Sequence, residues 1–214
     1  MRQTYSFLVN IDPNLYDSVD AAYIPKLAPR LAQQYDETDP GILVALITMN
    51  YLVLQPGESI YIPADGIHAY LSGDIIECMA RSNNVLNTGF CPAAERSNVD
   101  LFCKCLTFKP HSAQESMLKP QKYDGGKQGK TKLFAPPMSE FSMLEVSIEG
   151  SGKEELAAVD GPGVLIVSKG GAKMTAGGRS FELNEGSVYF IAKGVELGFD
   201  SGRRGLLAHI AFVE

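Results

Sequence analysis

Histidine is scarce in this chain of 214 residues. Only His68, His111 and His209 are present. A metal held by three or four protein ligands therefore cannot rest on a His-x-x-x-His pair, because none exists. The cysteines Cys78, Cys91, Cys103 and Cys105 form no paired C-x-x-C knuckles, which argues against a structural zinc site and leaves reduced structural thiols as the expectation. No run approaches the roughly 20 apolar residues a membrane helix needs. A cationic segment followed by an apolar one is missing at Met1, so no secretory signal is read. Positive charge is outnumbered, 19 Lys and Arg against 25 Asp and Glu, for a net charge of −6. No basic cluster sits beside aromatic residues, which argues against a nucleic-acid partner. These absences predict a cytoplasmic chain with neither nucleic acid nor membrane as partner.

What is present is apolar sequence in short pieces. Apolar residues make up 45 % of the chain, enough for a substantial core. Between Leu52 and Ala80, apolar runs alternate with the turn signals Pro56-Gly57, Asp65-Gly66 and Ser72-Gly73. The spacing predicts strands at 52–54, 60–63, 68–71 and 75–79. His68 and Tyr70 then share a face, because side chains alternate with period two. Ahead of this stretch, Val19, Ala22, Tyr23, Leu27, Leu31 and Tyr35 recur at helical spacing, and Pro25 and Pro29 limit the prediction to a short helix or two helical turns. Residues 42–54 read as a further strand, entering the small antiparallel barrel that the strand spacing of 52–80 suggests. Residues 94–108 read as an amphipathic helix with Val99, Phe102, Cys103 and Leu106 inward and Ser97 or Asn98 as cap.

Residues 109–132, rich in lysine and poor in apolar residues, read as an exposed linker. Residues 133–214 return to short strands at 141–148, 164–168, 172–175, 179–183, 187–191, 197–200 and 206–213. Gly170-Gly171 and Gly177-Gly178 are hairpin signals between them. The turn and strand placement around Gly186 repeats that around Gly57, with Glu196 falling opposite His68. The expected organisation is an incomplete β unit with flanking helices over 1–108, the linker over 109–132, and a second β unit over 133–214.

The run Pro56-Gly57-Glu58-Ser59-Ile60-Tyr61-Ile62, followed by His68-Ala69-Tyr70-Leu71-Ser72-Gly73-Asp74-Ile75-Ile76-Glu77-Cys78-Met79-Ala80, resembles the type I mannose-6-phosphate isomerases. A weaker resemblance covers roughly residues 30–214, matching the C-terminal half of that family. The resemblance implies a mainly β fold: two cupin-like (jelly-roll) barrels, the first incomplete, with short helical segments. It implies a zinc-dependent aldose–ketose isomerase interconverting mannose 6-phosphate and fructose 6-phosphate, in the supply of mannose and GDP-mannose. His68 matches a zinc ligand of the family. The other family ligands, a glutamine, a histidine and a glutamate, have no counterpart in this chain. Tyr70 and Glu77 match positions near the pocket. Barrel packing is the other role open to Tyr70, and a surface position the other one open to Glu77.

The chain departs from the family pattern after Met79-Ala80. Asn83 stands at an Asp position, Asn87 at an Arg position and Ala93 at a Lys position. Asn83 and Asn87 are the substrate-binding candidates, but an amide hydrogen-bonds without supplying fixed charge to a phosphate. Arg81 or Arg96 is a candidate replacement for that charge. These departures keep a second class open, a non-catalytic cupin-like binding or regulatory homologue. A cupin enzyme using a different metal is a third reading, disfavoured because His68 is the one histidine in the motif. A sugar phosphate is the expected small-molecule partner. If the first barrel lacks strands, its open edge predicts self-association.

Overall fold

The computed structural model describes residues 23–36, 38–82, 85–96, 99–107, 109 and 111–213. The chain divides into two compact units. One comprises the described residues of 1–55, 62–73 and 82–116; the other comprises 56–61, 74–81 and the described residues of 117–214.

The first unit is helical. Helix α1 (Ile24–Gln34) buries Ile24, Leu27, Ala28 and Leu31, one stripe at i, i+3, i+4 and i+7. Pro25 sits in its first turn, where the missing N–H is not needed. Pro29 lies inside the helix, and helix α1 still runs for 11 residues. The expected shortening does not occur because burial of this apolar stripe offsets one lost hydrogen bond. Helix α2 (Pro40–Thr48) packs Ile42 and Leu46 against that stripe. A fully buried Leu or Ile contributes about 1.5–3 kcal/mol relative to exposure.

Helix α2 corrects the expectation of a strand over 42–54. The apolar run is ambiguous by periodicity, and its entrance decides it. The Asp39 carboxylate accepts from Gly41 N at 2.7 Å and caps a helix opened by Pro40. The amphipathic helix expected over 94–108 is reduced to a turn at Ala93–Glu95 and helix α3 (Val99–Cys105). Phe102 and Leu106 are half-buried, whereas Val99 and Cys103 are exposed. The expected caps, Ser97 and Asn98, lie outside the described residues.

The strands expected between residues 52 and 79 are also corrected. Among the described residues this stretch forms no strand ladder, only an isolated bridge from Ile60 to Met117. The turns themselves are present, with positive φ at Gly57, Asp65 and Gly73. A turn is specified by its own few residues, but a strand needs a partner for its N–H and C=O groups.

The second unit is an eight-stranded antiparallel sheet. Its strands are β1 (Gln121–Lys122), β2 (Thr131–Phe134), β3 (Ser142–Ile148), β4 (Gly152–Leu156), β5 (Gly163–Ala176), β6 (Arg179–Asn184), β7 (Val188–Ile191) and β8 (Leu197–Phe212). Residues 121–122 and 131–132, within the expected linker, thus belong to the sheet.

The long strands β5 and β8 each change partners along their length. The first half of β5 pairs with β7 and with the second half of β8, which also pairs with β3. The second half of β5 pairs with β6 and with the first half of β8, which also pairs with β4. Two layers result, with Leu144, Val146, Leu165, Val167, Met174, Leu183 and Phe199 in the shared core.

Gly170-Gly171 lies at the bend and is not the expected hairpin. Register shifts flank it, and Gly170 takes φ +80° against Gly205. A Cβ at Gly170 would collide with the Gly205 carbonyl, so glycine there serves a close strand crossing. Gly177-Gly178 is the hairpin turn, with φ +54° and +73° and Ala176 paired to Arg179. Glu154 is wholly buried at the sheet end, accepting from Gln128 N at 3.2 Å and Lys130 N at 2.5 Å.

Candidate functional site

His68 follows a tight turn. Gly66 N donates to Pro63 O at 3.1 Å, and Asp65 takes φ +61°, a conformation Asp tolerates. The turn also accepts Thr107 N on Asp65 O at 3.0 Å. The His68 ring is exposed, with Nδ1 2.9 Å from Gly66 O. A carbonyl only accepts, so the contact calls for a proton on Nδ1, which in the neutral ring leaves the lone pair on Nε2. That is the tautomer a metal-binding imidazole adopts. The Tyr70 ring stands edge-on to it, centroids 5.8 Å apart and planes at 66°. His68 and Tyr70 therefore come together, although the strand expected to align them does not form.

Asn87 is exposed in the first unit, and Asn83 lies outside the described residues. Glu77 is exposed and belongs to the second unit. Among the described residues no three His, Cys, Asp or Glu side chains converge into a metal-binding group. One imidazole falls short of the three or four ligands zinc takes. The described residues do not by themselves fit a zinc site.

Arg96 is not available as a replacement for the lost phosphate-side charge. Its guanidinium pairs with Asp39 Oδ2 at 3.2 Å, and the Asp39 carboxylate is 2 % exposed. The same carboxylate receives Phe90 N at 2.9 Å as well as Gly41 N. A Cβ at Gly89 would meet Gly41 Cα at 2.7 Å, so the two glycines let these segments touch. Asp39 ties helix α2, the 89–90 segment and Arg96 into one knot. Breaking a buried pair of this kind costs about 3–5 kcal/mol, because the remaining charge is left uncompensated. The Asp39-Pro40 step carries a helix-start signal that strand periodicity obscured.

A polar row crosses the second unit's sheet. Lys132 Nζ on β2 meets Glu145 Oε1 on β3 at 3.0 Å. Glu145 Oε2 lies 3.9 Å from His209 Nε2 on β8, and His209 Nδ1 lies 2.8 Å from Ser168 Oγ on β5. Burial pushes the His209 pKa down, and the Glu145 carboxylate acts in the opposite direction more weakly. His209 is thus a packed strand residue, as its position between Ala208 and Ile210 suggests. Cys78 is half-buried, and burial pushes its thiol pKa up.

The comparisons with known proteins bear on this arrangement. No protein-family model matches the chain. Mannose-6-phosphate isomerase of Saccharomyces cerevisiae is 34 % identical over 193 residues, which cover 89 % of this chain and 44 % of that protein. The chain is a homologue of the mannose-6-phosphate isomerases. The Candida albicans member is 32 % identical over 226 residues, covering 100 % of this chain and 50 % of that protein. The chain spans about half the length of these curated relatives. A solved phosphomannose isomerase from Salmonella typhimurium, bound to fructose 6-phosphate and zinc, matches with a TM-score of 0.66 at 22 % identity. The match covers 99 % of this chain and 54 % of that one. A mutant of the same protein matches at a TM-score of 0.67. At that identity the structural likeness shows the fold alone, and it agrees with the mainly β reading.

Proposed function

We propose that this chain is the cupin-bearing part of a mannose-6-phosphate isomerase, serving interconversion of mannose 6-phosphate and fructose 6-phosphate in the cytoplasm. The observation that carries the reading is the 34 % identity to the Saccharomyces cerevisiae enzyme across 89 % of this chain. The reaction moves a proton between the first two sugar carbons through an enediol(ate), which calls for a positioned acid/base group. In this reading His68 is a metal-side ligand, held in the right tautomer by Gly66 O. Tyr70 and Glu77 are pocket residues, and Asn83 and Asn87 bind substrate through neutral amides. Zinc is named with the Salmonella protein. The described residues do not fit it alone, so His68 would share a metal only with ligands from outside the described residues.

The test compares the purified chain with the same chain joined to the remainder of the Saccharomyces cerevisiae relative, measuring bound zinc and turnover of mannose 6-phosphate. The isolated chain is expected to hold no stoichiometric zinc, and the joined protein to bind zinc and turn over. His68→Ala in the joined protein should weaken metal binding by at least about tenfold. Unchanged zinc content in that variant would sink the assignment of His68. A joined protein that binds sugar phosphate without turnover would favour the non-catalytic homologue, which the relatives' shared activity does not.

A further inference from the structure

Helix α1 borders a cavity of about 540 Å³ within the first unit, lined by Tyr23, Lys26, Leu27, Arg30, Tyr51 and Val53. It involves none of the residues discussed above as isomerase candidates. Lys26 and Arg30 stand four residues apart on one face of helix α1, so their charged ends can reach a common anion. Neither forms an ion pair with another described carboxylate, although acidic residues outnumber basic ones in the chain. Arg30 Nε donates to Gln34 Oε1 at 3.3 Å, which orients the guanidinium along the helix. The wall is aromatic and fixed. Tyr23 and Tyr51 stack with centroids 5.1 Å apart and planes at 28°, and the Tyr23 hydroxyl donates to Met49 O at 3.1 Å. Buried Leu27 and the exposed Val53 complete an apolar surface.

Two cations beside a rigid tyrosine wall suit a ligand with one anionic end and one apolar ring face. A phosphorylated sugar has both: a dianionic phosphate, which Arg and Lys bind by charge-assisted hydrogen bonds, and C–H faces that pack on aromatic rings. We propose that this cavity is a second phosphosugar-binding site, with the phosphate on Lys26 and Arg30 and the ring against Tyr23 and Tyr51. It is separate from His68 in sequence and chemistry, and it stands whether or not the chain takes part in isomerisation.

The experiment is ligand-observed NMR titration of the full chain with fructose 6-phosphate as probe, and with fructose and inorganic phosphate as separate controls. Fructose 6-phosphate should bind, fructose should not, and phosphate should bind more weakly. In Lys26→Met with Arg30→Met, affinity should fall by at least about tenfold, the loss of two charge-assisted contacts. The swap Lys26→Arg with Arg30→Lys, which keeps both charges, should retain binding. Tyr51→Leu should weaken fructose 6-phosphate while leaving inorganic phosphate unchanged. No binding of fructose 6-phosphate, or full binding by the double methionine variant, would overturn the proposal. So would loss of binding on His68→Ala with retention in the double variant, because the ligand would then sit at the candidate isomerase site.

Discussion

At the scale of single residues, position in the chain and chemical role separate. Three histidines look alike on paper, and their surroundings give them three different fates. His111 is exposed, with Nδ1 3.2 Å from Ser112 O. His68 is exposed with a defined tautomer. His209 is enclosed between Glu145 and Ser168, and its pKa is lowered first by burial, against the pull of Glu145. A histidine with a depressed folded pKa binds fewer protons folded than unfolded. Its contribution to stability is present above the unfolded value of about 6.5 and is lost as pH falls through the lower folded value. Stability of the second unit, followed by urea titration, should therefore decline from pH 7 toward pH 5. His209→Gln should flatten that slope; an unchanged slope would mean other groups set it.

At the scale of elements, glycine pairs show how a local signal depends on its surroundings. Gly170-Gly171 and Gly177-Gly178 read identically in sequence, and one bends a strand while the other closes a hairpin. The two should respond differently to substitution. Gly177→Asn keeps a residue that tolerates positive φ in an open turn, with no atom within 4 Å of an added Cβ, and should change stability by less than about 0.5 kcal/mol. Gly170→Ala combines positive φ with a backbone collision and should cost about 2–4 kcal/mol. Equal effects in chemical denaturation would contradict the assignment. Helix α2 teaches the same lesson. Its apolar run fits a strand or a buried helix, and one capping carboxylate, Asp39, selects the helix.

At the scale of the whole molecule, the stretch 52–80 stands outside the strand ladders. Among the described residues it carries an isolated bridge and several exposed apolar side chains, including Val53, Ile75 and Met79. Backbone outside any strand ladder beside exposed apolar surface favours edge pairing between copies. Sedimentation velocity over a concentration series should show species heavier than 23.2 kDa as concentration rises. A single species at that mass throughout, with one sharp thermal transition, would rule this out. The sequence alone determined the turns at Gly57, Asp65, Gly73 and Gly177, most of the strand positions of 133–214 though not β4 or the continuity of β5 and β8, the helix containing Leu27 and Leu31, and the kinship carried by the run from His68 to Ala80. These depend on contacts between near neighbours or on residue identity. The tertiary structure decided which expected strands find partners, that Gly170 marks a crossing, that Arg96 is held by Asp39, and that Lys26 and Arg30 face a tyrosine wall. Each of those turns on residues far apart in the chain meeting in space, which periodicity along the chain does not encode.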